Sequence, residues 1–377
     1  MSRRAGRVMT GLMLATALAA LPLTQGACST RPAEERAERD TEVGHASALG
    51  LQIDVEGGLA VVRSISVENG VGHAALWSSA PTQRLRLSLA ADAPRRWQLT
   101  LSNVMRDSEL RAPKGAARVT RAVGQWLTQQ VYELELPAGV TELELTPPQA
   151  RVSGPFAFAL LSDVQEAIDD VQDIFTRVNQ QPVDFLLGAG DLTQRGTADQ
   201  LSRYQRELQA LEVPYYTSLG NHELGQSPTL WHDYFGRASL HFDYRGAAFS
   251  LVDSSSATVD PVVYGWLDGW LDEHSADVHV VAMHIPPLDP TGVRNGAFAS
   301  RNEAAKLLLK LARGHVDLTL YGHIHSYYKF ENGGVPAYIS GGGGAIPERF
   351  DQIGRHFLVV EVDPARGVRG VRTVRVD

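Results

Sequence analysis

The 377-residue chain has one cysteine, Cys28, so no disulfide can close within it, and packing and hydrogen bonding must hold it folded. It also lacks a lysine and arginine stripe. With 35 Lys+Arg against 43 Asp+Glu and a formal charge of −8, a nucleic-acid polymer is excluded as the expected partner. No apolar run suits a spanning helix; the nearest, residues 8–23, is too short and poorly flanked. No segment repeats. What is present is globular: 44% hydrophobic and 21% charged residues suffice for a sizeable core, and the length favours two domains.

Residues 1–27 read as an export signal, with Arg3, Arg4 and Arg7 ahead of the apolar run. Gly26-Ala27 then precede Cys28, which resembles a bacterial lipoprotein attachment site, although Gln25 departs from the usual apolar residue three places before the cysteine. The expectation is an exported protein of the bacterial cell envelope, anchored to the membrane by a lipid on Cys28; ordinary cleavage near Gly26 or Ala27 is the alternative. Residues 28–48 are charged and poor in large apolar side chains, and read as a solvated tether.

Over residues 49–152 the pattern has period two. Leu85, Leu87 and Leu89 alternate with polar neighbours, as do Trp97, Leu99 and Leu101; Tyr132, Leu134 and Leu136; and Leu143 with Leu145. Such runs predict half-buried antiparallel strands and a small all-β sandwich. Pro147-Pro148 and Ser153-Gly154-Pro155 mark a boundary. Residues 153–377 are α/β in texture: continuous apolar runs at 156–161, 183–187, 278–283 and 316–320 alternate with helical patterns near 165–179, 197–211, 262–274 and 301–313.

Five short motifs each end an expected β-strand: Asp163-Val164-Gln165, Gly190-Asp191, Gly220-Asn221-His222-Glu223, His284, and Gly322-His323-Ile324-His325. Together they offer two carboxylates, two amides and four imidazoles, the donor types of a two-metal hydrolytic centre. Strand ends are also where open α/β sheets place ligands. Singly, each aspartate could be a helix cap and His284 a satisfied core histidine; the ordered set is what carries the chemistry.

That order resembles the calcineurin-like metallophosphoesterase superfamily, in its cyclic-nucleotide-phosphodiesterase-like and purple-acid-phosphatase-like branches. The resemblance covers residues 156–345 and implies a four-layer αββα sandwich. It implies Asp163 and His325 on a first metal, Asp191 bridging, and Asn221, His284 and His323 on a second. His222 would protonate the leaving group, and Asn221 would also touch substrate. The implied activity is hydrolysis of phosphate mono- or diesters by hydroxide bridging two ions; a surface binding protein that keeps the fold without turnover is the alternative. Neutral His, Asn and Gln donors leave the site net positive, which suits an anionic substrate and Mn, Fe or Zn rather than Ca. Gln165 stands where many members have histidine. As an amide oxygen donor it would bind the first metal more weakly, or else it acts outside the ligand set. The sequence Gly190-Asp191-Leu192-Thr193 lacks the tyrosine behind the purple colour.

Other features carry less. Arg294, in the loop after Pro286-Pro287, is a candidate phosphate clamp or a solvated loop residue. Glu223 reads as structural, and His232 as the remaining histidine best placed to line the cleft. Ser254-Ser255-Ser256 lacks a nucleophile-elbow context and reads as a turn.

Overall fold

The computed structural model describes residues 31–376 apart from 114–115, 274–275, 293–295 and 349–351. The export signal, Cys28 and Arg294 lie outside the described residues.

The period-two segment builds two five-stranded sheets from β1 (His45–Ala48), β2 (Leu51–Val55), β3 (Ala60–Glu68), β4 (Val71–Ser78), β5 (Gln83–Leu89), β6 (Arg96–Ser102), β7 (Glu109–Arg111), β8 (Arg118–Ala122), β9 (Gln129–Glu135) and β10 (Gly139–Thr146). Their orders are β1-β2-β5-β10-β7 and β3-β4-β6-β9-β8. Leu85, Leu87 and Leu89 of β5 and Leu143 and Leu145 of β10 share one core with Trp97, Leu99, Leu101, Tyr132 and Leu134 of the facing sheet. The alternate residues face outward, where Arg84 and Arg86 pair with Glu144 and Glu142 across the strands. The pleat turns an alternating sequence into one dry and one wet face.

The second unit has four layers. One sheet, β13-β12-β11-β20-β21, uses β11 (Phe156–Leu161), β12 (Leu186–Ala189), β13 (Tyr215–Ser218), β20 (His356–Asp363) and β21 (Gly367–Arg375). The other, β14-β15-β16-β17-β19-β18, uses β14 (Leu240–Tyr244), β15 (Ala247–Val252), β16 (Val278–Met283), β17 (Leu318–Tyr321), β18 (Tyr327–Asn332) and β19 (Val335–Ser340). Between them lies an aromatic layer in which Phe158 stacks on Phe185 at 5.5 Å and meets Phe249 edge-on at 5.3 Å. Helices α2 (Val171–Asn179) and α3 (Ala198–Glu207) cover the outer face of the first sheet, while α4 (Pro261–Glu273) and α5 (Arg301–Arg313) cover that of the second. The central strands β11, β12, β15, β16 and β17 are thus buried on both faces, which is why they read as unbroken apolar runs. The two units meet through Trp77 against Phe235 at 5.9 Å, and through Asn103, whose amide donates to the Ser78 and Tyr215 carbonyls.

The expected solvated tether is instead helix α1 (Arg31–Glu42) followed by β1, which pairs with β2. Arg36 and Asp40, one turn apart, are 0% and 1% exposed and reach into the second unit. Asp40 accepts from the amides of Ala238 at 2.6 Å and Ser239 at 3.0 Å and contacts His232 Nε2 at 3.0 Å. The apolar stripe of α1 is only Ala33 and Ala37, too slight to announce a buried helix, and two of its charges are internal. The same bonds correct His232: held between Asp40 and the Thr229 carbonyl, it is a core residue and does not line the cleft.

Candidate metal centre

Parallel pairing of β11, β12 and β13, and of β15, β16 and β17, gives neighbouring strands a common direction. The loops leaving their C-terminal ends converge. Asp163 follows β11, Asp191 follows β12, Asn221 and His222 follow β13, His284 follows β16, and His323 and His325 follow β17. Donor atoms of Asp191, His284 and His323 lie within 4.8 Å of one another, as do those of Asp163, Asp191 and His325. Asp191 belongs to both groups. Asn221 Oδ1 joins the first at 3.0 Å from His284 Nε2. Gln165 joins the second, its amide nitrogen 2.9 Å from Asp191 Oδ2 and 3.1 Å from His325 Nε2. His222 Nε2 stands 3.8 Å from Asp191 Oδ2.

The backbone is bent to achieve this. Asp163, Gln165, Asp191 and His323 have φ of 62°, 49°, 54° and 67°, in the left-handed region that side chains disfavour. Such residues cost of order 1 kcal/mol or more each and collect at functional sites. Glycines close the remaining gaps. A Cβ on Gly220 would stand 2.1 Å from Asp191 Oδ1, and one on Gly322 would stand 1.9 Å from Ser162 Oγ and 2.7 Å from Asp163 Oδ2. Gly322→Ala is therefore expected to force the ends of β11 and β17 apart and to lower stability by about 1–3 kcal/mol. Thermal unfolding reads this directly; an unchanged midpoint would contradict the close approach.

Hydrogen bonds orient the rings. His222, His284 and His325 set Nδ1 against the carbonyls of Gln194, Ala189 and Ile346 at 2.8, 2.7 and 2.8 Å. A carbonyl only accepts, so each Nδ1 carries hydrogen and a neutral ring turns its Nε2 lone pair inward. The His284 lone pair then faces Asn221 Oδ1 and, at 3.3 Å, Asp191 Oδ1. Lone pairs meeting at such distances demand a positive charge between them. Burial opposes a proton on His284, but Asp191 beside it outweighs burial and pushes the imidazole up to about 9. Burial would likewise raise Asp191, yet His284 and then His222 hold it well below the usual carboxylate range. His323 is pushed down to about 4, first by burial and then by His284. A metal ion meets the same electrostatic demand as that proton and must displace it to bind. The donor set, mostly buried and shared through one carboxylate, fits two such ions.

Glu223, fully buried, accepts from the amides of Asp191, Thr193 and Gly220 and from the Thr193 hydroxyl, and so fixes the two loops that carry Asp191 and Asn221. One residue escaped the sequence reading. Arg195 is exposed and lines a recess of 620 Å³ with Gln194, Thr197, Asn221, His222, Gly225 and Gln226. Its position is set by tight packing, since a Cβ on Gly225 would stand 2.2 Å from the Arg195 carbonyl oxygen. Its place between the Asp191 motif and Gly196 was the available signal. A larger cavity of 900 Å³ opens beside α1 and β5, lined by Arg84, Arg86, Glu142 and Glu144 among others, and contains none of the clustered residues.

Residues 156–327 match the family model described as calcineurin-like phosphoesterase. Purple acid phosphatase 22 of Arabidopsis thaliana is 26% identical over 211 residues, 49% of this chain and 47% of that protein. A 3',5'-cyclic-nucleotide phosphodiesterase of Nostoc sp. is 27% identical over 159 residues, 39% of this chain and 58% of that protein. The chain thus spans about half the length of these curated relatives. The solved purple acid phosphatase PPD1 from yellow lupin shares the fold, with a TM-score of 0.50 at 13% identity, covering 78% of this chain and 72% of that one.

Proposed function

We propose, from the premise that residues 156–327 form a calcineurin-like phosphoesterase domain, that the protein hydrolyses phosphate esters at a two-metal centre. The observation that carries this reading is the pair of donor groups, buried except for half-buried His323, that share Asp191. Asp163 and His325, with Gln165 beside them, would hold one ion; Asn221, His284 and His323 would hold the other; Asp191 would serve both. Divalent ions bound there supply Lewis-acid polarisation of phosphoryl oxygens and acidify water.

The chain supplies the rest. His222, its Nδ1 tied to the Gln194 carbonyl, keeps Nε2 at the open edge of the cluster, where protonated it can donate to a departing oxygen. The Asn221 amide and the exposed Arg195 guanidinium line the same recess and can hold phosphoryl oxygens. Most of the acceleration in such a reaction comes from charge stabilisation, and a site with two carboxylates and otherwise neutral ligands would stay net positive around two divalent ions and provide that field.

The test is a panel of mono-aryl and bis-aryl phosphates with metal-stripped protein. Aryl alcohol release is expected to return when Mn, Fe or Zn is added back and to vanish again with chelator. The ester released faster assigns monoesterase or diesterase preference. Absence of turnover with all three metals, or turnover indifferent to chelator, would sink the reading.

A further inference from the structure

Helix α1 precedes the β-sandwich in sequence, yet its buried face belongs to the second unit, and one of its charges runs towards the metal centre. Arg36 Nε donates to Asp253 Oδ2 at 2.6 Å and Nη2 to Ser256 Oγ at 3.0 Å. Asp253 begins the loop leaving β15, and its other oxygen accepts from the Ser255 amide and hydroxyl. Between these two pinned residues lies Ser254, fully buried, whose Oγ accepts from the Ile285 amide at 2.8 Å. Ile285 directly follows His284. The peptide joining His284 to Ile285 is thus held through both of its polar groups, the His284 carbonyl accepting from the Gly322 amide.

Stability alone does not account for this arrangement. Withdrawing two charges from water is costly, and well-packed apolar replacements often do as well or better. Burial would raise the Asp253 carboxyl, but Arg36 outweighs it and keeps the group below its ordinary value, so the pair stays ionised. What an ionised, hydrogen-bonded pair adds is fixed geometry, here in the loop that carries Ser254.

We propose that Arg36 is a positioning residue for the metal centre: from α1 it locks the loop after β15, and through Ser254 that loop sets the backbone bearing His284. The proposal rests on reading the cluster as a metal centre. It also makes metal affinity depend on a helix more than 200 residues away in sequence.

The experiment uses the full chain, stripped of metal and titrated calorimetrically with Mn. Two variants break the link differently. Arg36→Met combined with Asp253→Asn removes both charges together, and Ser254→Ala removes only the acceptor for Ile285. Each is expected to weaken Mn binding at one of two sites by about 10–100-fold, the usual effect of losing a partner that orients a ligand. Arg36→Lys, which keeps the charge but loses the fork, should fall between. Arg39→Gln, which releases the exposed pair with Asp233 on the outer side of α1, should leave Mn affinity at the wild-type value. Wild-type affinity in both linking variants overturns the proposal, as does an equal loss in Arg39→Gln, which would mean that general helix stability is responsible. If wild type takes up Fe or Zn in place of Mn, the same titrations are run with that ion; wild-type protein that takes up none of the three defeats the metal-centre reading, and this proposal with it.

Discussion

Asp191→Asn is expected to cut turnover of both aryl phosphates by roughly 10³-fold or more, the scale of losing a directly acting electrostatic group. The substitution keeps size and shape. It removes the one carboxylate common to both donor groups, so each loses its shared negative charge at once. Asp191 is also 1% exposed, so neither solvent nor a mobile side chain can substitute for it. The loop should survive, because the Asp191 amide still donates to Glu223 and its carbonyl still accepts from Val164 and Gln165. Metal analysis should therefore show lost Mn beside a near-normal unfolding midpoint. Full metal content with full turnover would reject the shared role. Asp163→Asn should fall less far, since it touches one group only.

His222→Asn separates protonation from metal binding. The side chain is 28% exposed and belongs to neither donor group, so metal content should stay at the wild-type level. Turnover should fall by about 10²–10⁴-fold, the range for loss of a general acid. The size of the loss carries the diagnosis. A good leaving group such as a nitrophenolate needs little help, so its loss should be smallest, while an alkyl ester should suffer most. A uniform loss across leaving groups would assign His222 to binding rather than to proton transfer.

Most of the centre was legible in the sequence because its parts sit at fixed places relative to apolar runs. A strand buried on both faces ends abruptly, and a polar residue just past that end is conspicuous. Asp163, Asp191, Asn221, His284, His323 and His325 all fall there, and the structure brings them together with Gln165 and His222. The β-sandwich was legible for a related reason: Leu85, Leu87 and Leu89 repeat with the pleat itself. Helix α1 was not. Its inward face is alanine, arginine and aspartate, a composition that ordinarily marks solvent, and only partners 190 or more residues away make it a core element. His232 was misplaced through the same omission, because its buried partner is Asp40. Arg195 has no periodicity to reveal it; its position comes from the fit of two loops. Ser254 reads as part of a turn, as expected, and its contact with the Ile285 amide appears only in three dimensions. Local pattern thus shows where chemistry can sit, whereas long-range contacts decide what holds it there.

The inserted position of the β-sandwich has a consequence for biosynthesis. Asp40 bonds to an amide 199 residues further along. At about 5–20 residues per second, roughly 10–40 s separate translation of the helix from that of its docking partner. The sandwich can close in that interval, but helix α1, made before it, must wait beside it, its buried face without a partner. Docking of the helix must therefore wait until residue 239 has emerged, well after its own residues have left the ribosome.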